Sequence, residues 1–314
     1  MKAAVITAPG ERPGYADFAE PEPAERLQLM DVLATGIHPV TRPLAEGRHY
    51  GSDGRYPLVP GVDCVARGAD GVARYAGFVS APWGTLAERI AAPMGLPLPD
   101  GADPVMIAGG LNPGLSSWLP LRRRADEVPA LGTVVVVGAT GVAGRMAVQN
   151  ARLLGADRVI GIGRDVGRLA EVGRLGGIAV PLSDDPAELV EALAGTAPSI
   201  VVDYVWGSAA ELVWAGLARH GLGDDTADIR HLQIGAQGGP TAALPSSLLR
   251  SRRITVQGAG AGSVPIADIV AALPGYMARL AAGEVRVPTR TYPLRDVADA
   301  WADHGPDRVV VVPD

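Results

Sequence analysis

Residues 133–144 run Thr-Val-Val-Val-Val-Gly-Ala-Thr-Gly-Val-Ala-Gly, and this stretch decides the fold. Its first part, Thr133–Val137, is a continuous β-branched run that predicts a strand buried on both faces. Apolar residues recur near helical spacing in the next segment, Arg145–Leu154, and Gly155 is suited to end that helix. The stretch therefore predicts a strand, a glycine loop and a helix in direct succession.

Three glycines lie in this loop at the spacing of a dinucleotide-binding turn. Gly138 permits the tight turn, Gly141 lets the backbone approach a pyrophosphate, and Gly144 lets the helix pack closely on the strand. The N–H groups at the start of the helix attract phosphates. An ordinary turn without a ligand is the alternative, but the strand–helix units that follow favour a dinucleotide. The predicted cofactor contacts in the loop are Thr140, Gly141, Val142 and Ala143.

Strands and helices alternate after the loop. The predicted strands are Arg158–Ile162, Ala179–Leu182, Ser199–Asp203, Ile229–Ile234 and Ile254–Gln257, and the predicted helices are Asp165–Leu175, Pro186–Ala194, Ala209–Arg219 and Leu244–Arg250. Such alternation requires a parallel sheet with helices on both faces. Together with Thr133–Val137, six strands fit a doubly wound α/β Rossmann sheet.

The two ends of the chain have a different texture. Short apolar pieces separated by Gly and Pro predict an irregular β-rich lobe, with strands at Lys2–Ile6, Leu27–Ala34 and Val62–Ala66. The C-terminal part predicts a helix over Pro265–Ala282, a short strand near Val285–Val287 and a terminal strand over Arg308–Val312. We expect this part to rejoin the first lobe. Residues 1–112 and 262–314 would then form a substrate domain, into which a dinucleotide-binding domain, residues 113–261, is inserted.

Composition excludes several classes of protein. The 314 residues carry 28 basic and 34 acidic side chains, and a net charge of −6 argues against nucleic acid as a partner. The chain has no apolar run near the ~18–20 residues that cross a membrane, and its N-terminus lacks a signal-peptide pattern. We therefore expect a cytoplasmic protein. Cys64 is the only cysteine, which rules out intramolecular disulfides and a cysteine-based zinc site.

The end of the second strand bears on the choice of nicotinamide cofactor. NAD-binding proteins usually place an acid about 20 residues past the loop, where it binds the ribose 2′-hydroxyl. This chain has Arg164 there, after Gly163 and one helical turn before Arg168, and two guanidinium groups suit a 2′-phosphate. Asp165 is the counter-argument, although its side chain can instead cap the following helix. The sequence predicts NADPH; the alternative is that both arginines are solvated helix charges.

The chain resembles the zinc-free quinone oxidoreductase branch of the medium-chain dehydrogenase/reductase superfamily. The matching segments are Met1–Val5 (MKAAV), Tyr56–Asp63 (YPLVPGVD), Gly84–Glu88 (GTLAE), Gly114–Trp118 (GLSSW), Gly138–Gly144 (GATGVAG) and Gly258–Ser263 (GAGAGS). The resemblance covers almost the whole chain, and the loop with its helix is its specific part. It implies a six-stranded Rossmann sheet inserted into a β-rich, GroES-like catalytic domain.

The resemblance also implies that no catalytic zinc is bound. Zinc enzymes of the superfamily place a ligand Cys after a Gly-x pair and then a His-Glu pair, whereas this chain has His38 after Gly36-Ile37 and Val62-Asp63 at the pair position. We therefore predict that no residue of the chain binds a metal ion. Without a Lewis acid to polarise a carbonyl, hydride transfer to a quinone or to the β-carbon of an enone is favoured.

Two residues are candidates for completing the reaction. Tyr50 corresponds to a Tyr that lines the substrate pocket in the family, and its phenol can hydrogen-bond a carbonyl oxygen; the alternative is a Tyr packed at the lobe surface. His38 is placed to donate a proton to the substrate as a general acid, or else is a hydrogen-bonded core histidine. We expect the other histidines to be surface or turn residues: His49, His220, His231 and His304.

Further cofactor contacts follow from the resemblance alone. Ser116 matches a residue near the nicotinamide ribose, and Tyr204 is placed to flank the adenosine. Gly235 and Ala236 match residues beside the nicotinamide, and Arg308 is placed to reach the cofactor from the other lobe. Each of them is otherwise a turn residue at a strand end.

The predicted function is NADPH-dependent hydride transfer to a quinone or α,β-unsaturated carbonyl, without zinc. One alternative is zinc-independent ketone or alcohol oxidoreduction in a biosynthetic pathway, and another is a non-catalytic NADPH-binding sensor. The expected partners are a small-molecule substrate and a second copy of the chain. Ile254–Gln257 would be the exposed edge strand through which a homodimer forms.

Overall fold

The computed structural model describes residues 1–77, 79–93, 95–183, 185–221, 223–260 and 262–314. The chain forms two compact units, residues 1–113 with 272–314 and residues 114–271. The second unit thus extends to Ala271, beyond the predicted end at residue 261. Ala261, which belongs to the Gly258–Ser263 motif and to that predicted boundary, lies outside the described residues.

Strands and helices alternate in the middle of the chain and are mixed irregularly at its ends. The strands are β1 (Lys2–Val5), β2 (Gly14–Asp17), β3 (Gln28–Gly36), β4 (Asp63–Arg67), β5 (Ala73–Gly77), β6 (Arg89–Ala92), β7 (Leu96–Pro97), β8 (Thr133–Val137), β9 (Arg158–Gly163), β10 (Ile178–Pro181), β11 (Ile200–Asp203), β12 (Ile229–Gln233), β13 (Ile254–Gly258), β14 (Thr289–Pro293) and β15 (Arg308–Val312). The helices are α1 (Thr41–Ala45), α2 (Pro104–Glu127), α3 (Val142–Leu153), α4 (Val166–Arg174), α5 (Ala187–Leu193), α6 (Gly207–Leu217), α7 (Ser246–Ser251), α8 (Ile266–Ala281) and α9 (Val297–Ala302).

The second unit contains a six-stranded parallel sheet in the order β10-β9-β8-β11-β12-β13. Strand order reverses between β8 and β11, which makes this the doubly wound arrangement with its switch point between those two strands. The predicted Rossmann sheet is therefore confirmed, and each of its strands lies within one or two residues of its predicted bounds.

The valine run of β8 is central because both of its faces are covered. Val134 and Val136 pack in one buried cluster with Ala147 and Ala151 of α3. Val135 and Val137 pack on the opposite face with residues of other strands and of α5 and α6, including Ile160, Val201, Leu189 and Val213. A strand between two apolar layers reads as a continuous hydrophobic run, as the sequence predicted.

The first unit contains a seven-stranded sheet in which β14, β15, β3, β4, β5 and β7 are neighbours in that order and β6 also pairs with β3. Strand β15 pairs antiparallel with β3, at Val310–Gly36 and Val311–Thr35. The C-terminal residues thus complete the N-terminal sheet, and the expected return of the chain to its first lobe is confirmed. A separate antiparallel pair is formed by β1 and β2.

One prediction in these flanks is wrong, and one helix was not predicted. Val285–Val287 is not a strand, since β14 begins at Thr289. The long helix α2 was missed; the two units divide inside it after Pro113, one residue from the predicted boundary after residue 112. Gly109 and Gly110 explain why the helix was missed, because they are required for packing and not for a break. An added Cβ on Gly109 would lie 3.0 Å from Thr289, and one on Gly110 would lie 2.8 Å from Val287. These glycines permit close helix packing and do not end the helix.

No helix in the described part of the chain is long and apolar enough to cross a membrane.

The packing of α3 on the glycine loop yields a stability prediction. A Cβ on Gly144 would lie 2.1 Å from the Gly138 carbonyl oxygen, whereas a Cβ on Gly141 would lie 3.5 Å from the same oxygen. We expect Gly144→Ala to lower the free energy of unfolding by about 1–3 kcal/mol, as overpacking does. Gly141→Ala, the matched control, should leave it nearly unchanged in a denaturant titration. Equal stability of the two variants would contradict the proposed close contact.

Candidate cofactor site and the buried histidines

The glycine loop has the geometry of a phosphate-binding turn. Gly138 adopts φ +88°, a left-handed conformation that favours glycine, and its carbonyl accepts from the Gly141 N–H at 3.1 Å. Gly141 is the residue before the first turn of α3, with extended backbone, and its surface is exposed. The N–H groups of the first helical turn have no acceptors inside the helix, so they attract an anion.

The end of β9 carries the predicted 2′-phosphate contacts. Arg164 is exposed, and Gly163 lies against Thr140, whose Cγ2 would be 2.5 Å from an added Cβ. The Asp165 carboxylate accepts from the Arg168 N–H at 3.1 Å and caps α4, as the sequence analysis proposed. Asp165 also pairs with Arg168 Nε at 2.9 Å. Arg164 thus directly follows β9, the strand that pairs with β8, and Arg168 lies in the first turn of α4 with its side chain paired to Asp165.

Tyr204 lies at the switch point of the sheet. It follows β11 directly, and added Cβ atoms on Gly138 and Gly235 would be 3.4 Å from Tyr204 Cβ and 2.5 Å from its carbonyl oxygen. Its hydroxyl is 2.9 Å from Ser116 Oγ. Burial raises the pKa of Tyr204 to about 12, against a smaller lowering by the hydroxyls of Ser116 and Ser117. The phenol therefore remains protonated at neutral pH.

Ser116 and Tyr204 were predicted to contact different ends of the cofactor, yet the structure joins them by a hydrogen bond. A second network, which sequence reasoning missed, supports this position. The Asn150 side chain on α3 donates to Ser117 Oγ at 2.9 Å and to the Gly114 carbonyl at 3.0 Å, and so ties α2 to α3. A buried Asn in a helix that follows a glycine loop is the only signal that the sequence offered.

His231 is buried, so its prediction as a surface or turn residue is wrong. Its side chain and that of Asp203 have no exposed surface, and His231 Nε2 lies 3.0 Å from Asp203 Oδ2. The indole N–H of Trp214 donates to His231 Nδ1 at 3.1 Å. The other Asp203 oxygen accepts from the Val205 and Trp206 N–H groups, at 2.8 and 2.9 Å. The pair thus shapes the loop that follows Tyr204.

A second buried His–Asp pair lies in the first unit. His38 is 1% exposed, and its Nε2 lies 3.1 Å from Asp63 Oδ1. Asn112 Nδ2 of α2 donates to Asp63 Oδ2 at 2.7 Å. Tyr75 on β5 also contacts this carboxylate, and burial together with the Asp63 charge raises the pKa of Tyr75 well above its ordinary value. His38 is therefore buried, and only one of its two ring nitrogens has a hydrogen-bond partner; its catalytic role stays a prediction.

Tyr50 and Arg308 lie in contrasting environments. The Tyr50 side chain is 78% exposed, and its ring is stacked 4.0 Å from that of His49. Arg308 is buried and donates through Nη1 to the Ile37 carbonyl at 2.7 Å. The structure thus places Arg308 next to the residue that precedes His38, whereas Tyr50 lies at the surface. The catalytic role of Tyr50 and the cofactor role of Arg308 stay predictions.

Among the described residues, no group of three or more His, Cys, Asp or Glu side chains is arranged to hold a metal ion.

The fold and the loop together define a class of protein. A doubly wound sheet with a glycine turn at its switch point, inserted into a chain whose two ends build one β-rich unit, is the architecture of medium-chain dehydrogenases/reductases. Comparison with protein-family models gives no match. A curated relative, the probable NADPH-dependent quinone reductase tdiC of Emericella nidulans, is 33% identical over all of both chains. The chain belongs to the zinc-free quinone oxidoreductase branch of the medium-chain dehydrogenase/reductase superfamily.

Solved structures agree with this family. The quinone oxidoreductase of Thermus thermophilus, also solved in complex with NADPH, is 28% identical with a TM-score of 0.78 and covers 99% of this chain and all of that one. A mycobacterial quinone oxidoreductase matches with a TM-score of 0.83 over all of both chains, and at 19% identity it supports the fold alone. A thermostable alcohol dehydrogenase of Pyrobaculum aerophilum, at 24% identity and a TM-score of 0.78, covers all of this chain and 99% of that one.

The raised pKa of Tyr204 predicts how stability depends on alkaline pH. Because the folded state holds this proton up to about pH 12, while an unfolded tyrosine loses it near pH 10, stability falls as pH rises between those values. Tyr204→Phe should therefore show a smaller alkaline loss of stability than the wild type in thermal melts from pH 9 to 11.5. Tyr50→Phe, at an exposed position, should retain the full loss; the same slope in all three proteins would argue against the assignment.

Proposed function

We propose that the protein is an NADPH-dependent oxidoreductase that transfers hydride to a quinone or an α,β-unsaturated carbonyl without zinc. The observation that carries this proposal is the glycine loop at the switch point of the sheet, in a chain related over its full length to a probable NADPH-dependent quinone reductase. The chain has one cysteine and has Val62 where zinc enzymes of the superfamily place a ligand His. The acceptor must therefore be reducible without a metal-polarised oxygen.

The residues of the second unit fit the cofactor. An added Cβ on Gly141 meets nothing closer than 3.5 Å, so the backbone there is open to a pyrophosphate. Thr140, Gly141, Val142 and Ala143 would hold it at the start of α3. Gly163, Arg164 and Arg168 would hold the 2′-phosphate, and the remaining contacts assigned to the cofactor in this unit are Ser116, Tyr204, Gly235 and Ala236. Arg308, which belongs to the first unit, is also assigned to the cofactor. Bound NADPH supplies the hydride.

The protein itself must supply a proton or a hydrogen bond to the oxygen of the reduced acceptor. Hydride addition to a quinone or enone leaves negative charge on an oxygen, which has to be protonated or hydrogen-bonded. His38 is assigned this role because it is the buried titratable group in the substrate unit that has a free ring nitrogen among the described residues. Tyr50, exposed on the same unit, is assigned contact with the substrate. We place the enzyme in the cytoplasm.

Oxidation of NADPH in the presence of quinones, enones and ketones tests the proposal directly. Consumption with quinones or enones and not with simple ketones is the expected result. Turnover restricted to ketones would replace the proposed acceptor, and absence of turnover with every acceptor would refute the enzymatic function.

Substitutions at the end of β9 should separate the two nicotinamide cofactors. We expect Arg164→Ala to raise KM for NADPH about tenfold to a hundredfold, the range for losing a hydrogen bond to a charged group, with little effect on NADH. Asp165→Asn keeps an oxygen that can cap α4 but removes the charge paired with Arg168. It should lower KM for NADPH up to about fivefold, the upper value of an exposed ion pair.

Arg174 offers the matched control for these variants, because it lies at the last turn of the same helix and pairs with Glu171. Arg174→Ala should leave both KM values unchanged. If Arg164→Ala affects NADPH and NADH equally, the 2′-phosphate contact is wrong.

A homodimer through β13 belongs to the same proposal. Strand β13 is the last in the sheet order, and Thr255 and Gln257 are exposed on it. An open edge strand pairs readily with another chain unless a charge prevents it. We expect the wild type to sediment as a dimer and Thr255→Lys to shift it toward the monomer, with Thr7→Lys, at an exposed site of the first unit, as the control. A wild-type monomer at micromolar concentration would exclude this interface.

A further inference from the structure

The ring of His38 has one nitrogen that the fold leaves open. Nε2 faces Asp63, whereas Nδ1 is buried without a hydrogen-bond partner. Leaving a buried polar atom without a hydrogen bond is unfavourable, because the atom loses its hydrogen bonds to water. Such an atom in a native protein needs an explanation, and one explanation is that it forms a hydrogen bond with a bound ligand.

The His231–Asp203 pair shows how the same chain gives a structural histidine a partner at both ring nitrogens. His231 also places Nε2 against a carboxylate, that of Asp203, but its Nδ1 receives the indole N–H of Trp214. Both histidines are almost fully buried, at 1% and 0% exposure. Of these two rings, only that of His38 is left with an open nitrogen, so its environment differs from that of His231 at one atom.

The surroundings of Asp63 determine where the His38 proton lies. Asn112 donates an amide N–H to Oδ2, and the Tyr75 hydroxyl contacts the same carboxylate. Surrounded by donors, the carboxylate acts as an acceptor toward Nε2–H. In the neutral imidazole the proton is therefore on Nε2 and the bare nitrogen is Nδ1. Other charged or ionisable groups nearby are Arg308, which donates to the Ile37 carbonyl, and Cys64, which follows Asp63 in β4.

We propose that Asp63 and Asn112 are positioning residues that make His38 Nδ1 the atom that delivers a proton to the oxygen of the reduced acceptor. This inference rests on the proposed function. Bound NADPH would supply the hydride to the acceptor carbon and be left as NADP⁺, so the acceptor gains two electrons and its oxygen carries the negative charge. The imidazolium then transfers its Nδ1 proton to the resulting oxyanion, forming the O–H bond and leaving a neutral ring that still donates Nε2–H to Asp63. Once the product has left, a proton from water that enters in its place restores the imidazolium.

The enclosure of Nδ1 suits this step. Because the nitrogen is buried, only a group admitted to that position takes the proton, and bulk water does not compete. The carboxylate stabilises the imidazolium that donates, as an acid does when it orients a catalytic histidine. Asp63 thus acts through His38 and not on the acceptor.

Asp63→Asn is the sharpest test because it preserves shape and reverses the tautomer. The carboxamide oxygen of the new side chain stays with the Asn112 N–H, so its NH₂ group faces Nε2 and forces the His38 proton onto Nδ1. When the ring is protonated to the imidazolium, it no longer has a carboxylate beside it to balance its positive charge. We expect kcat to fall at least about a hundredfold, the lower range for general acid catalysis, with KM for NADPH unchanged. Asp63→Glu should restore part of kcat, and His220→Gln, at an exposed site, should change neither constant.

Nitrogen NMR of histidine-labelled protein tests the same arrangement without turnover. In the wild type, His38 and His231 should both show Nε2–H tautomers, and in Asp63→Asn only the His38 signals should change to Nδ1–H. An Nδ1–H tautomer for wild-type His38, or a kcat within threefold of wild type in an Asp63→Asn variant whose tautomer has reversed, would overturn the inference. Wild-type protein without quinone or enone reduction would count against the proposed function, while the spectra still decide the state of the pair.

Discussion

The contact between Gly144 and the Gly138 carbonyl is the constraint on which the rest of the second unit depends. No side chain fits there, because even a Cβ would lie 2.1 Å from that oxygen. Helix α3 can therefore pack against β8 only with glycine at this position, and that packing aims the first helical turn at the open backbone of Gly141. The switch point of the sheet lies at the same strand end, where Tyr204 follows β11 and its Cβ lies close to Gly138. In the proposed site, backbone N–H groups of the turn would bind the pyrophosphate, and neighbouring side chains would distinguish NADPH from NADH.

Two buried His–Asp pairs show how the chain treats polar groups that it removes from water. His231 has both nitrogens in use, and the carboxylate of Asp203 also receives two backbone N–H groups, so this pair fastens the loop that carries Tyr204. The carboxylate of Asp63 is satisfied to the same degree, but the ring of His38 is not. Since the remainder of each network is complete, the difference lies in one imidazole nitrogen. His231 Nδ1 is used in a structural hydrogen bond, whereas His38 Nδ1 is left for the proposed chemistry.

Sequence reasoning succeeded where a local pattern controls the structure. The β-branched run of β8 and the glycine spacing after it are dictated by burial on both faces and by close backbone contact, and both are visible over a dozen residues. It failed where distant packing overrides local preference. Gly109, Gly110 and Pro113 look like helix breakers, yet α2 passes through all three because its glycines accommodate Val287 and Thr289. His231 gave no local sign of burial, since its partners Asp203 and Trp214 lie on other elements.

The same distinction explains why the cofactor was easier to predict than the chemistry at the acceptor. The predicted phosphate contacts are backbone N–H groups and arginines that all lie within one strand–turn–helix unit and the segment after the neighbouring strand. The groups around His38 come instead from β4, β5 and α2, and nothing in their spacing along the chain connects Asp63, Tyr75 and Asn112. His38 and Asp63 occupy positions that correspond to the zinc-site segment of related enzymes. In this chain they contact each other, so the histidine is oriented by a carboxylate. In the proposed reaction such a pair would supply a proton where a metal would supply positive charge, which suits acceptors that need protonation more than polarisation.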